Sequence, residues 1–144
     1  MNKFKNLAIE EDILKGTYDS PVTGRITVEF DLEEEDNVME NFSGLISASE
    51  IWIGKLTQEK LDDLKRKMSL ELTDSAYAGS DYKPGQQDYD GLAAELTLLS
   101  IQFFQDAAFS LVFQAKKEYP DMLIWCQIDE DLEIEDLVVD NPAR

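Results

Sequence analysis

The sequence predicts an α+β fold: an antiparallel sheet, made of N-terminal strands plus a C-terminal four-strand meander, packed by one amphipathic helix near 57–72. Three observations predict it. "RITVEFDL" alternates apolar and polar residues, "TQEKLDDLKRKMSLEL" repeats its apolar residues at spacings of three and four, and the stretch from Glu95 to Asp140 is rich in β-formers with turn residues at short intervals. Period two marks a half-buried strand, and a period near 3.6 marks a helix with one buried face. A chain of 144 residues suits a single globular domain, 1–144, long enough to bury a core without disulfide or metal.

In chain order, "LKGTY" supplies the first strand of a hairpin and "DSPVTG", with Pro21 and Gly24, supplies its turn. In "RITVEFDL", Ile26, Val28 and Phe30 face one way while Thr27 and Glu29 face the other. "EEEDNVMEN" has no useful period and reads as an exposed acidic connection. "ASEIWIGKL" reads as a β-rich core segment around Ile51, Trp52 and Ile53, ended by Gly54. The helix begins at Thr57, whose side chain can cap free N–H groups, with Leu56 placed to staple onto Leu61. Leu61, Leu64, Met68 and Leu72 form one stripe, and Asp62–Arg66 and Asp63–Lys67 are spaced as i,i+4 ion pairs.

"AYAGSDYKPGQQDYDG" then concentrates Gly, Pro, Asp, Gln and Tyr and reads as a long loop, 76–91. Loops of this length are often functional. Four strands follow at about 95–104, 108–116, 122–129 and 133–139, with "QDAA", "KEYPD" and "DEDLE" as connections. Leu123, Trp125 and Gln127 oppose Met122, Ile124, Cys126 and Ile128. Apolar residues on both faces predict that both are covered.

Charge narrows the function. With 31 acids against 13 bases the formal net charge is −18, which repels phosphate backbones and anionic lipid and attracts basic proteins. Direct nucleic-acid binding needs the opposite balance. The opening residues place acids at 10, 11 and 12, unlike a secretory leader, and no apolar run reaches the roughly 20 residues of a membrane span. With a single cysteine, Cys126, the expected address is the cytoplasm. Histidine is absent, which removes Ser-His-Asp and Cys-His catalysis and histidine-containing zinc sites. The expectation is a non-enzyme that uses no metal and no cofactor.

Candidate sites follow from the acids. The segment from Asp129 carries Asp129, Asp131 and Glu133 at positions 1, 3 and 5 of a calcium loop, but position 6 is Ile134 where the loop wants Gly. Paired carboxylates for glycoside hydrolysis must arise by chance among 31 acids. Cys126, between Trp125 and Gln127, reads as a buried structural thiol. The remaining use is partner binding: Asp129, Glu130, Asp131, Glu133 and Asp136 near the C-terminus, and Glu33, Glu34 and Glu35 on the earlier connection. Tyr82, Tyr89 and either tryptophan are candidate anchors, because a few desolvated aromatics carry most of the affinity at an interface.

"RITVEFDLEEED", "TQEKLDDLKRKM" and the closing "LTLLSIQFFQDAAFSLVFQ…LIWCQIDEDLEIEDLVV" give the chain a pattern of strands and acids. In that pattern it resembles small acidic bacterial families of unknown function that include immunity proteins of contact-dependent or polymorphic toxin systems. The resemblance implies a cytoplasmic protein that neutralises a basic toxin domain, frequently a nuclease, by covering its active cleft. It carries over no catalytic residue. Two other classes stay open: an enzyme or small-ligand protein with a carboxylate-lined pocket under the 76–91 loop, and an acidic nucleic-acid mimic.

Overall fold

The computed structural model describes residues 3–32, 39–105 and 108–140. They form a single seven-stranded sheet and three α-helices, an α+β arrangement in two layers. The strands are β1 (Phe4–Glu10), β2 (Ile13–Ser20), β3 (Gly24–Asp31), β4 (Thr97–Phe104), β5 (Ala108–Gln114), β6 (Leu123–Ile128) and β7 (Ile134–Asp140). The helices are α1 (Ser43–Gly54), entered through a 3-10 turn at Met39–Phe42, then α2 (Gln58–Ala76) and α3 (Gln86–Glu95).

Strand order in the sheet equals chain order. Every neighbouring pair is antiparallel except β3–β4, which is parallel. Parallel neighbours require a crossover, and here the crossover is the whole helical layer. The sheet is therefore not the purely antiparallel one that the alternation predicted. A single parallel joint stands between the N-terminal hairpins and the C-terminal strands.

Placing every helix in one crossover puts them on one face. Ile53 of α1, Leu61, Leu64, Met68 and Leu72 of α2 and Leu92 of α3 share one buried cluster with Leu14, Val28, Phe30, Ile101, Phe103, Leu111, Phe113, Ile124, Cys126 and Ile128 of the strands. Phe30 and Phe103, opposite each other across the parallel joint, stack at 5.2 Å, and Phe4 meets both edge-on. The stripe read from the α2 sequence is buried as expected. Its cap is also made: Thr57 Oγ1 accepts from the Lys60 N–H at 3.2 Å.

Several expectations are corrected. Residues 48–54 belong to α1 and not to a β-rich segment: Leu45, Ser49, Trp52 and Ile53 fall four, three and one apart on its inner side, while Ile51 is left 64% exposed. A buried serine in the middle of that stripe hid its helical period. Arg66 pairs with Asp63 (3.6 Å), which also holds Lys67 (3.4 Å), while Asp62 accepts instead from Gln58 Nε2 at 2.7 Å. The 76–91 loop shortens to 77–85, because "QQDYDGLAAE" is helical. Asp88 caps that helix by accepting from the Gly85 N–H at 2.9 Å, and the Ser69 hydroxyl donates to the Tyr89 carbonyl at 2.6 Å, tying α3 to α2.

β1 forms in a segment without a clear apolar period. Glu11 and Asp12, at φ 50 and 68, form the two-residue turn that folds it onto β2. Among the described residues, no helix is long and apolar enough to cross a membrane.

Candidate functional site

The acids singled out near the C-terminus are brought to two different places. Asp129 is structural: its Oδ1 accepts from the Asp131 N–H at 2.9 Å and the Glu133 N–H at 3.0 Å, closing the β6–β7 connection. Glu130 and Asp131 line a hollow on the helix side, and Glu133 is exposed. Asp136, on β7, pairs in register with Gln127 on the opposite face of the sheet. Glu33, Glu34 and Glu35 lie outside the described residues. Among the described residues, no group of three or more Cys, Asp or Glu side chains is placed to hold a metal ion. The turn itself consumes the leading carboxylate of the calcium-like segment.

The two tyrosines are held within the chain. Tyr82 donates its phenol to Asp88 Oδ2 and Tyr89 donates to Asp74 Oδ1, both at 2.6 Å. Hydrogen bonding to these carboxylates raises both phenols above their ordinary range, and the Tyr82 phenol with the Gly85 N–H lowers Asp88. They fasten α3 and its approach to α2, and they do not stand beside the C-terminal acids. The hollow at this corner, touching Tyr77, Asp88, Glu118 and Tyr119, holds about 100 Å³. Cys126 is fully buried, and burial pushes its thiol up to about 12, so it is no nucleophile at neutral pH.

The sheet face that no described helix covers brings together residues far apart in sequence. Register aligns Thr17, Thr27, Ser100, Val112, Trp125 and Val138 in one row across β2 to β7. A second row runs through Lys15, Glu29, Gln102, Ser110, Gln127 and Asp136. The β2–β4 half satisfies itself: Gln102 donates to Glu29 at 3.0 Å, Lys15 approaches Glu29 at 3.9 Å, and Arg25 and Lys5 hold Asp19 at 2.9 and 3.3 Å. Those two cations, Arg25 before Lys5, depress the Asp19 carboxyl.

The β5–β7 half is different. Val112, Trp125 and Val138 are cross-strand neighbours and none belongs to the core on the helix side. Val138 is 44% exposed and Trp125 is half-buried, whereas Val112, between Ser100 and Trp125, is only 4% exposed. Leu123 extends the strip by two residues along β6, opposite Asp140. On β7 the order Asp136, Val138, Asp140 puts a carboxylate on each side of the apolar centre. Here is an apolar strip about a tryptophan, rimmed by acids, on a face that no described helix covers.

No family model, no curated protein and no solved structure matches the chain.

Of the residues singled out beforehand, Trp125 and Asp136 contribute to this strip. Val112, Val138 and Asp140 were passed over. The signal for the β7 pair was present in "EDLVVD", where Asp136, Val138 and Asp140 alternate with Leu137 and Val139 of the core. By itself that alternation marks only a strand, because the sequence does not say which face the helices take.

Proposed function

We propose that this chain is a non-enzymatic acidic protein that docks a basic protein partner, most concretely an immunity protein that occludes a basic toxin domain such as a nuclease. One observation carries the reading: the strip of Val112, Trp125 and Val138 between Asp136 and Asp140 on the helix-free sheet face. Interfaces of this kind place an aromatic anchor at the centre, where it loses its water, and keep charge at the rim. The net charge of −18 gives the long-range attraction that brings a cationic partner in, and the rim acids set its orientation. The likeness of the strand-and-acid pattern to immunity families points the same way.

The other classes draw less support. A pocket under 77–85 and α3 is about 100 Å³, well below the roughly 300 Å³ at which small-molecule sites begin. A nucleic-acid mimic needs evenly spaced carboxylates along an elongated face, whereas Asp136 and Asp140 flank an apolar centre.

The test immobilises the protein, captures its partner from lysate of the native host, and measures association of the purified pair. The expected partner is basic, binds one to one and loses its own activity when bound. Trp125→Ala should weaken the complex by about 2 kcal/mol, chiefly through faster dissociation. Asp136→Asn with Asp140→Asn should slow association at low salt and converge with wild type at high salt. A partner of acidic character, or wild-type rates in both variants, would remove this face from the mechanism.

A further inference from the structure

The helical layer holds a feature that docking on the opposite face leaves unused. Between α1, the first half of α2 and the β6–β7 connection lies a half-open cavity of about 850 Å³. Small-molecule sites run from about 300 to 1,000 Å³ and are mainly apolar with a few placed polar groups. The walls here include Leu45, Trp52, Leu64, Phe104, Phe109 and Leu132. Trp52 lies flat on Phe109, with ring centroids 4.3 Å apart and planes 15° from parallel. Ile51, the most exposed of the large apolar residues described, forms part of the lip.

Two polar features of the cavity have no partner among the described residues. Ser49 lines it and is 1% exposed, yet its hydroxyl has no hydrogen-bond partner among the described residues. A serine inside a helix commonly bonds back to the carbonyl four residues before it, and this one does not. A hydroxyl left buried and unpaired is unfavourable, so a partner that satisfies it stabilises the site. The second feature is Lys55 and Lys60, either side of the α1–α2 junction. Both line the cavity, and neither ammonium makes an ion pair or hydrogen bond with a described residue.

Three lysines line the cavity beside three acids, Asp63, Glu130 and Asp131, and Lys55 and Lys60 are the two without an ion pair to a described residue. Lys67, the third lysine there, is tied to Asp63 at 3.4 Å. Glu130 and Asp131 also line the cavity, and their repulsion of a dianion is about twice that of a single negative charge. Depth separates the polar groups: Ser49 is buried while Lys55 and Lys60 are exposed. The complement is a molecule with one negative end and a hydrogen-bonding oxygen within its apolar body.

We propose that this cavity binds an amphiphilic monocarboxylate of the hydroxy- or oxo-fatty-acid class. Its carboxylate is held by Lys55 and Lys60, its chain lies along the Trp52–Phe109 wall, and its inner oxygen pairs with the Ser49 hydroxyl.

The cavity supplies its own reporter, because Trp52 and Trp125 are the only tryptophans and Trp125 lies on the opposite face. In a W125F background, shown to be folded by circular dichroism, Trp52 emission is titrated with dodecanoate, its β-hydroxy and ω-hydroxy derivatives, and dodecanol, all below their micelle thresholds. Saturable binding is expected for the carboxylates, with dodecanol weaker and at least one hydroxy acid tighter than dodecanoate. K55Q/K60Q should weaken every carboxylate by about tenfold, as expected for a lost charged hydrogen bond, and leave dodecanol unchanged; K55R/K60R should restore binding. S49A should abolish the hydroxyl preference while raising the melting temperature of the empty protein. Three results would each overturn the proposal: no saturable change with any carboxylate, dodecanol binding as tightly as dodecanoate, or a hydroxyl preference that survives S49A.

Discussion

At the scale of single residues, much of the apparent binding chemistry is spent on holding turns. Asp88 accepts from the Tyr82 phenol at 2.6 Å and from the Gly85 N–H at 2.9 Å. Gly85 has no side chain to return the bond, so this cap is one-sided and rests on a single carboxylate. Asp129 does comparable work after β6, where Leu132 takes φ 64, a conformation that an L side chain enters at a cost. Because Asp88 is depressed chiefly by Tyr82, its stabilising effect is present above the unfolded carboxylate value and is lost as pH falls through the lower folded one. Melting curves of wild type and Asp88→Asn should therefore differ most at neutral pH and draw together below about pH 4, the ordinary aspartate range. A gap independent of pH would show that the charge on Asp88 contributes nothing.

At the scale of elements, β1 depends on an intimate contact with its neighbour. A Cβ at Gly16 would lie 2.8 Å from the Lys5 carbonyl oxygen and 2.7 Å from Leu7 Cδ2, so β2 needs a glycine there for β1 to pair. The irregular register between Lys5 and Ala8 falls at the same place. Gly16→Ala should destabilise the protein by about 1–3 kcal/mol, the usual cost of overpacking. The loss should be local: hydrogen exchange should speed at β1 amides and spare β4 and β5. Uniform acceleration would mean that β1 and the central strands open as one unit. The α1 segment shows the opposite relation between sequence and element. Its β-branched and aromatic residues favour a strand locally, yet Ile53 and Trp52 find their core contacts only as a helix.

At the scale of the molecule, the balance is between an apolar core and a net charge of −18. The ion pairs among the described residues all involve partly or largely exposed side chains and add little. Self-repulsion among the acids is therefore the larger electrostatic effect, and it opposes the compact state. Raising NaCl from about 20 to about 500 mM, which cuts the screening length several-fold, should raise the melting temperature. Each kcal/mol gained is worth roughly 4 °C at this chain length. A fall in melting temperature with salt would mean that the ion pairs outweigh the repulsion. The same field serves the proposed function, since what strains the isolated chain is relieved when a cationic surface covers it.

The sequence by itself determined the α+β class, the alternation of β3 and β6, the stripe and cap of α2, the burial of Cys126 and the acidity of the surface. Those follow from local period and composition, which say whether a residue turns toward an apolar layer. Only the tertiary structure decided which layer that is. Local period cannot state that β3 and β4 run parallel, that the helices all take one face, or that Trp125 is thereby left among acids on the other. Nor can it foresee that Tyr82, Tyr89 and Asp129 find partners within the chain, or that Ser49, Lys55 and Lys60 meet at one cavity. Such meetings depend on contacts between residues far apart in sequence, and those are fixed when the layers pack.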